Sequence, residues 1–74
     1  MNTDTTMEPI TVAGQLHEGD VAVIHGRIAR ILYVEDPRAH VIRFAYIQFD
    51  ATTLEYTDEI RPASLDRNAP VTFL

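Results

Sequence analysis

Few side chains in this sequence could move a proton, hold a metal or attack a substrate. The three histidines are His17, His25 and His40, and no two are spaced as an H-x₃-H pair. Two of them fall in expected turns, so a metal would need partners converging from separate loops, such as Asp20, Glu35 or Asp36. Surface or structural histidines are the simpler reading, and His40 beside Asp36 is the one candidate pH-sensitive pair. Ser64 is the only serine and lies in Pro62-Ala63-Ser64-Leu65, without the flanking glycines of a nucleophile elbow. There is no cysteine and no lysine. Disulfides, thiolate chemistry, Cys-type zinc sites, Schiff bases and a P-loop lysine are therefore excluded.

Two carboxylate doublets remain, Glu35-Asp36 and Asp58-Glu59. Neighbours on a strand point to opposite faces, so Asp58 and Glu59 cannot serve one substrate as acid and base. Strict alternation would turn Asp58 inward, which predicts a bulge or an ion pair with an arginine there. The three glycines are well separated and form no phosphate loop. The expectation is a protein without enzymatic activity, cofactor or metal.

What is left is charge and apolar surface. All six basic residues are arginine, against eleven acids, for a formal net charge of -5. Arginine favours bidentate pairing, although GC-rich coding would produce the same composition. Residues 1–20 sum to -4, residues 21–49 to +2 and residues 50–66 to -4, so a basic middle lies between acidic flanks. Arg27, Arg30, Arg38 and Arg43, with Tyr33, Phe44 and Tyr46, could make a small base-stacking patch. The competing expectation is that these arginines pair with Glu55, Asp58 and Glu59 on adjacent strands. The net charge opposes phosphate binding.

The elements that must position these groups read as β-structure. At 74 residues the chain allows one domain. A domain of this size buries only about 60% of the surface its unfolded chain exposes. Residues 1–9 read as a flexible polar tail and residues 10–74 as the folded unit. Residues 10–13 are a short extended candidate, and residues 16–20 a turn. Residues 21–24 are strand-like, and His25-Gly26 is a tight turn. Residues 27–35 favour a long, bent strand, with helix as the alternative because Ile28, Ile31 and Leu32 also fit helical spacing. Residues 35–39 form a loop around Pro37. Residues 40–50 are the strongest strand, residues 50–53 a hairpin turn, and residues 54–61 an alternating strand with one wet face. Residues 62–65 suit a helical turn begun by Pro62, and residues 71–74 a last strand. The fold class expected is all-β, a small five-stranded barrel with one short 3-10 helical turn.

The run Leu16-x-x-Gly19-Asp20-Val21, then Gly26 and a bent apolar strand, is similar to the opening of SH3-like barrels of the KOW and Tudor kind. Ile60-Arg61-Pro62-Ala63-Ser64-Leu65, then Val71-Thr72-Phe73-Leu74, resembles the helical turn and last strand that close such barrels. The layout also resembles the N-terminal domain of bacterial elongation factor P. The modified lysine loop of that family would fall at Asp36-Pro37-Arg38-Ala39-His40, which has no lysine, so that function does not carry over. Small actinophage proteins share the Gly-Asp-Val…Gly pattern and imply a phage or bacterial origin, with no activity attached.

Residues 40–50 are apolar on both faces: Ile42, Phe44 and Tyr46 on one, Val41, Ala45, Ile47 and Phe49 on the other, interrupted by Arg43. A small barrel buries only one face of a strand, so the second face predicts a cover. The expected cover is another copy or a host protein, through Val41, Arg43, Ile47 and Phe49, with Arg27 and Arg30 nearby. The alternative is a weak RNA-, DNA- or ribosome-binding module of the KOW kind. No apolar run approaches the roughly 20 residues of a membrane span, and the cytoplasm, of a host if phage-encoded, is the expected compartment.

Overall fold

The computed structural model describes residues 11–36 and 38–74; the expected tail at residues 1–9 lies outside them. Six antiparallel strands follow a 3-10 turn at Ala13–Gln15. They are β1 (Val21–Ile24), β2 (Arg27–Glu35), β3 (Val41–Asp50), β4 (Glu55–Tyr56), β5 (Arg61–Asp66) and β6 (Thr72–Phe73). The sheet order is β4-β3-β2-β1-β6, with β5 also paired to β3. The molecule is all-β.

The β1–β2 hairpin follows from its turn. His25 and Gly26 both hold positive φ, 50° and 79°. That two-residue turn matches the twist of the strands it joins and is favoured when glycine fills the second position. Ile24 and Arg27 close it, and four residue pairs follow. Residues 27–35 are strand, not helix, because their β-branched residues pair along both β1 and β3. The bend expected there is a register shift between Ile31 and Tyr33, with Leu32 as the extra residue.

The core lies on one face. Ala22, Ile24, Ala29, Ile31, Ile42, Phe44 and Tyr46 are buried, with Ala13, Leu16 and Val71 closing one end. Ala63 and Leu65 of β5 pack against this cluster, opposite Phe44 and Ile42. The helical turn expected at residues 62–65 is therefore a strand. The period-2 burial of Ala63 and Leu65 outweighs the preference of Pro62 for a first helical turn. Proline is tolerated because β5 pairs with β3 alone and is an edge. The 3-10 turn sits instead at Ala13–Gln15, within and beyond the expected strand 10–13, of which Val12 keeps a single bridge to Pro70. Gln15 Oε1 accepts the Val12 N–H at 2.9 Å and steadies that turn.

The sheet does not close into a barrel. β6 has two residues and is occupied by β1. No ladder joins β6 to β5. Residues 11–16 instead bond to the connection between them: Ala13 N–H to the Ala69 carbonyl and Gly14 N–H to the Arg67 carbonyl, both 2.9 Å, and Val71 N–H to the Thr11 carbonyl at 3.0 Å. Gly14 is required for that approach, since a Cβ there would meet the Arg67 Cγ at 2.8 Å.

The expected strand at residues 54–61 is broken. Only Glu55 and Tyr56 pair with β3, opposite Asp50 and Phe49, and pairing resumes with Arg61 opposite Tyr46. Four residues, 57–60, stand against two of β3, so two extra residues are pushed out of the ladder. Of the two outcomes expected at Asp58, a bulge or an ion pair, the ladder is interrupted and Asp58 makes no ion pair among the described residues. The apolar inner face expected of this strand is not present: Leu54 is 73% and Ile60 61% exposed.

Candidate protein-interaction face

Residues directly opposite in an antiparallel sheet share a face. The register therefore lists the face turned away from the core. One row is Tyr33, Ala45 and Pro62; the next is Glu35, Arg43 and Ser64. Beyond them Arg30 lies between Val21 and Ile47, and Val23 beside Ile28. Phe49 and Tyr56 face each other across β3 and β4, ring centroids 5.4 Å apart, edge to face. Ala45 is almost wholly buried on this outer side, since its neighbours Tyr33 and Pro62 are much larger.

Of the residues expected to meet a partner, Val41, Arg43, Ile47 and Phe49 share this face, and so does Arg30. Arg27 does not. It closes the β1–β2 turn opposite Ile24, on the other parity, exposed at the sheet's end. Exposure along the face is graded. Val41 and Tyr33 are about half exposed, Ile28 just over a third, and Ile47 and Phe49 half-buried. The face is apolar in patches, with guanidinium groups between them.

Glu35 stands opposite Arg43 on this face, yet no ion pair joins them. Among the described residues the only arginine–carboxylate bridge with both partners defined is Arg61 to Glu59, at 3.1 Å. Arg27, Arg30, Arg38 and Arg43 make no ion pair there, so the expected pairing with Glu55, Asp58 and Glu59 is not found. Tertiary structure removes it: β4 is too short to carry Glu55 along β3, and the bulge lifts Asp58 and Glu59 away. Nothing in the spacing of the acids announced that. Tyr33 and Ile28 also lie on this face and were not among the residues expected there; alternation along β2 would separate them, and the extra residue Leu32 brings Tyr33 round to the side of Ile28.

The other candidate chemistry disperses. His17 N–H donates to Asp20 Oδ2 at 2.8 Å within the turn before β1, and its ring lies 3.8 Å from the same carboxylate, largely in solvent. His40 and Asp36 share no hydrogen bond or ion pair; the His40 carbonyl accepts the Arg67 N–H at 2.7 Å. Asp36 closes its own loop, accepting Arg38 N–H at 3.2 Å. Ser64 stands exposed beside Arg43 on β5. No group of three or more His, Asp or Glu among the described residues is placed to hold a metal. No described helix is long and apolar enough to cross a membrane.

A concavity of about 420 Å³ lies where the β1–β2 and β3–β4 turns meet, lined by Arg27, Ile28, Gln48, Phe49, Asp50 and Thr57 among others. The Thr57 hydroxyl is buried there without a hydrogen-bond partner. Asp50 is committed to its own turn, accepting Thr52 N–H at 2.8 Å. The lining thus offers the Arg27 guanidinium and the Gln48 amide beside the apolar Ile28 and Phe49.

No family model matches the chain, and no curated protein or solved structure matches it.

Proposed function

We propose that this protein is a non-enzymatic interaction module that associates with further copies of itself through the outer face of β2 and β3. The observation that carries the reading is the composition of that face. Apolar side chains, Ile28, Tyr33, Val41, Ile47 and Phe49, are interleaved with Arg30 and Arg43, which have no ion pair among the described residues. Two acids share this face, Glu35 opposite Arg43 and Asp66 opposite Val41, without an ion pair to its arginines, while the acids of residues 50–59 lie off it; a second copy can bring those to Arg30 and Arg43. A small open sheet gains from such a cover, because its own chain has little left to bury the second side. The antiparallel order, bent β2 and short final strand support kinship in fold with SH3-like barrels.

Light scattering after size exclusion tests the reading. The unmutated chain is expected above monomer mass, and Phe49→Asp at monomer mass with its circular dichroism unchanged. A monomeric unmutated chain would remove the proposal.

One observation favours a second reading, a weak nucleic-acid module: Tyr33 is 51% exposed on the same face as the unpaired Arg30 and Arg43. Base stacking on such a pair of groups is sequence-tolerant. Titration with single-stranded RNA and DNA at low salt, where phosphate contacts are strongest, decides it. Absence of binding there eliminates this reading.

A further inference from the structure

We propose that the group received by the outer face is residues 54–60 of a second copy, docked head to tail. The inference rests on the self-association read above and specifies its partner surface. The segment carries the reverse chemistry of the face. Leu54 and Ile60 are 73% and 61% exposed, two of the three most exposed large apolar side chains described. Between them Glu55 and Asp58 are exposed and have no ion pair among the described residues; Glu59 is already held by Arg61.

The fold creates this knob. Leu54 takes a left-handed φ of 60° to end the β3–β4 turn, its N–H bonded to the Asp50 carbonyl at 2.7 Å. The two extra residues in 57–60 then push Asp58 and Ile60 outward, while Thr57 N–H anchors the base to the Gln48 carbonyl at 2.8 Å. Tethered so, no carboxylate of the segment reaches an arginine of its own outer face. On the receiving side, Arg30 stands opposite Ile47, four residues along β3 from Arg43, which has Glu35 opposite it but forms no ion pair with it. At about 3.3 Å per residue the two cations are set roughly 13 Å apart along the strand direction. Tyr33 and Ala45 lie between them. Two carboxylates flanked by apolar anchors thus meet two guanidiniums separated by apolar surface. Apart from Tyr56, which packs on Phe49 at the margin of the receiving face, donor and receiver are different surfaces of one chain, so the contact is heterologous. It builds a ring or an open chain of copies, not an isologous dimer.

Charge exchange tests this directly. Glu55→Arg with Asp58→Arg, and separately Arg30→Glu with Arg43→Glu, are each expected to weaken self-association by about tenfold or more. Mixing the two variants in equal amounts is expected to restore it, since each then offers the charge the other lacks. Because Arg43→Glu would face Glu35, Arg30→Glu alone replaces the double variant if circular dichroism shows misfolding. If the Glu55→Arg, Asp58→Arg variant assembles as the unmutated chain does, the contact is face to face. The head-to-tail inference is then overturned while self-association stands. Two folded, monomeric variants that stay monomeric when mixed overturn it as well. A monomeric unmutated chain defeats both readings together.

Discussion

The two halves of β3 are one continuous strand in very different surroundings. Its first six residues, Val41 to Tyr46, are all paired with β5, and Arg43 to Tyr46 are paired with β2 as well. Burial there follows the pleat: Ile42, Phe44 and Tyr46 are inward and at most 6% exposed, Val41 and Arg43 outward and open. The last four residues, Ile47 to Asp50, are uniformly half-buried. They have only the two-residue β4 on one side, and the chain beyond it bulges away. The first half is finished by its own chain. The second is left incomplete, beside the most exposed apolar segment of the sheet. The inward Ile42, Phe44 and Tyr46 of the first half serve stability, whereas Val41 and Arg43 on its outer side, with Ile47 and Phe49 of the second half, are available to a partner.

The sharpest way to break the comparison is Phe44→Ala. Removing a buried phenylalanine costs about 3–5 kcal/mol, a large share of the stability of a domain this small, typically about 0.05–0.15 kcal/mol per residue. Urea unfolding is expected to show a midpoint lowered so far that the native baseline shortens or vanishes. Phe49→Asp, five residues along the same strand, is expected to leave that midpoint near its original value while abolishing assembly. Equal unfolding by both would erase the distinction between the halves.

Smaller effects separate the two hairpin turns. Gly26→Ala places a side chain at φ 79° and is expected to cost about 1 kcal/mol by thermal or urea unfolding. Leu54→Asn works the other way. Asparagine accepts the left-handed conformation more readily than leucine, and the side chain lost is largely solvated. A gain of about 0.5 kcal/mol in stability is expected, together with weaker self-association by sedimentation. Stabilisation with association intact would leave Leu54 as a turn residue only.

Much of the fold is legible along the chain. Val21 to Ile24, the His25-Gly26 turn, the bent β2 and the long β3 follow from β-branched density and from turn chemistry within a few residues. Local sterics set these, so local sequence reports them. The break at Asp58 was legible as one of two outcomes, because a carboxylate at an inward position needs either an arginine partner or a departure from the ladder. Pro62 misled for the complementary reason. Its local preference for a helical first turn lost to the burial of Ala63 and Leu65 against Phe44 and Ile42, contacts distant in sequence.

The sequence by itself determined the class of the molecule: all-β, without cysteine or lysine chemistry, with a doubly apolar central strand and a basic middle. Tertiary structure alone decided where the sheet stops closing, which arginines are left without partners and which acids are lifted off the ladder. Those outcomes depend on the two-residue offset between the pairings of β4 and β5 with β3. Register between distant segments is settled by the summed burial of a whole face, a quantity that no local window of residues contains.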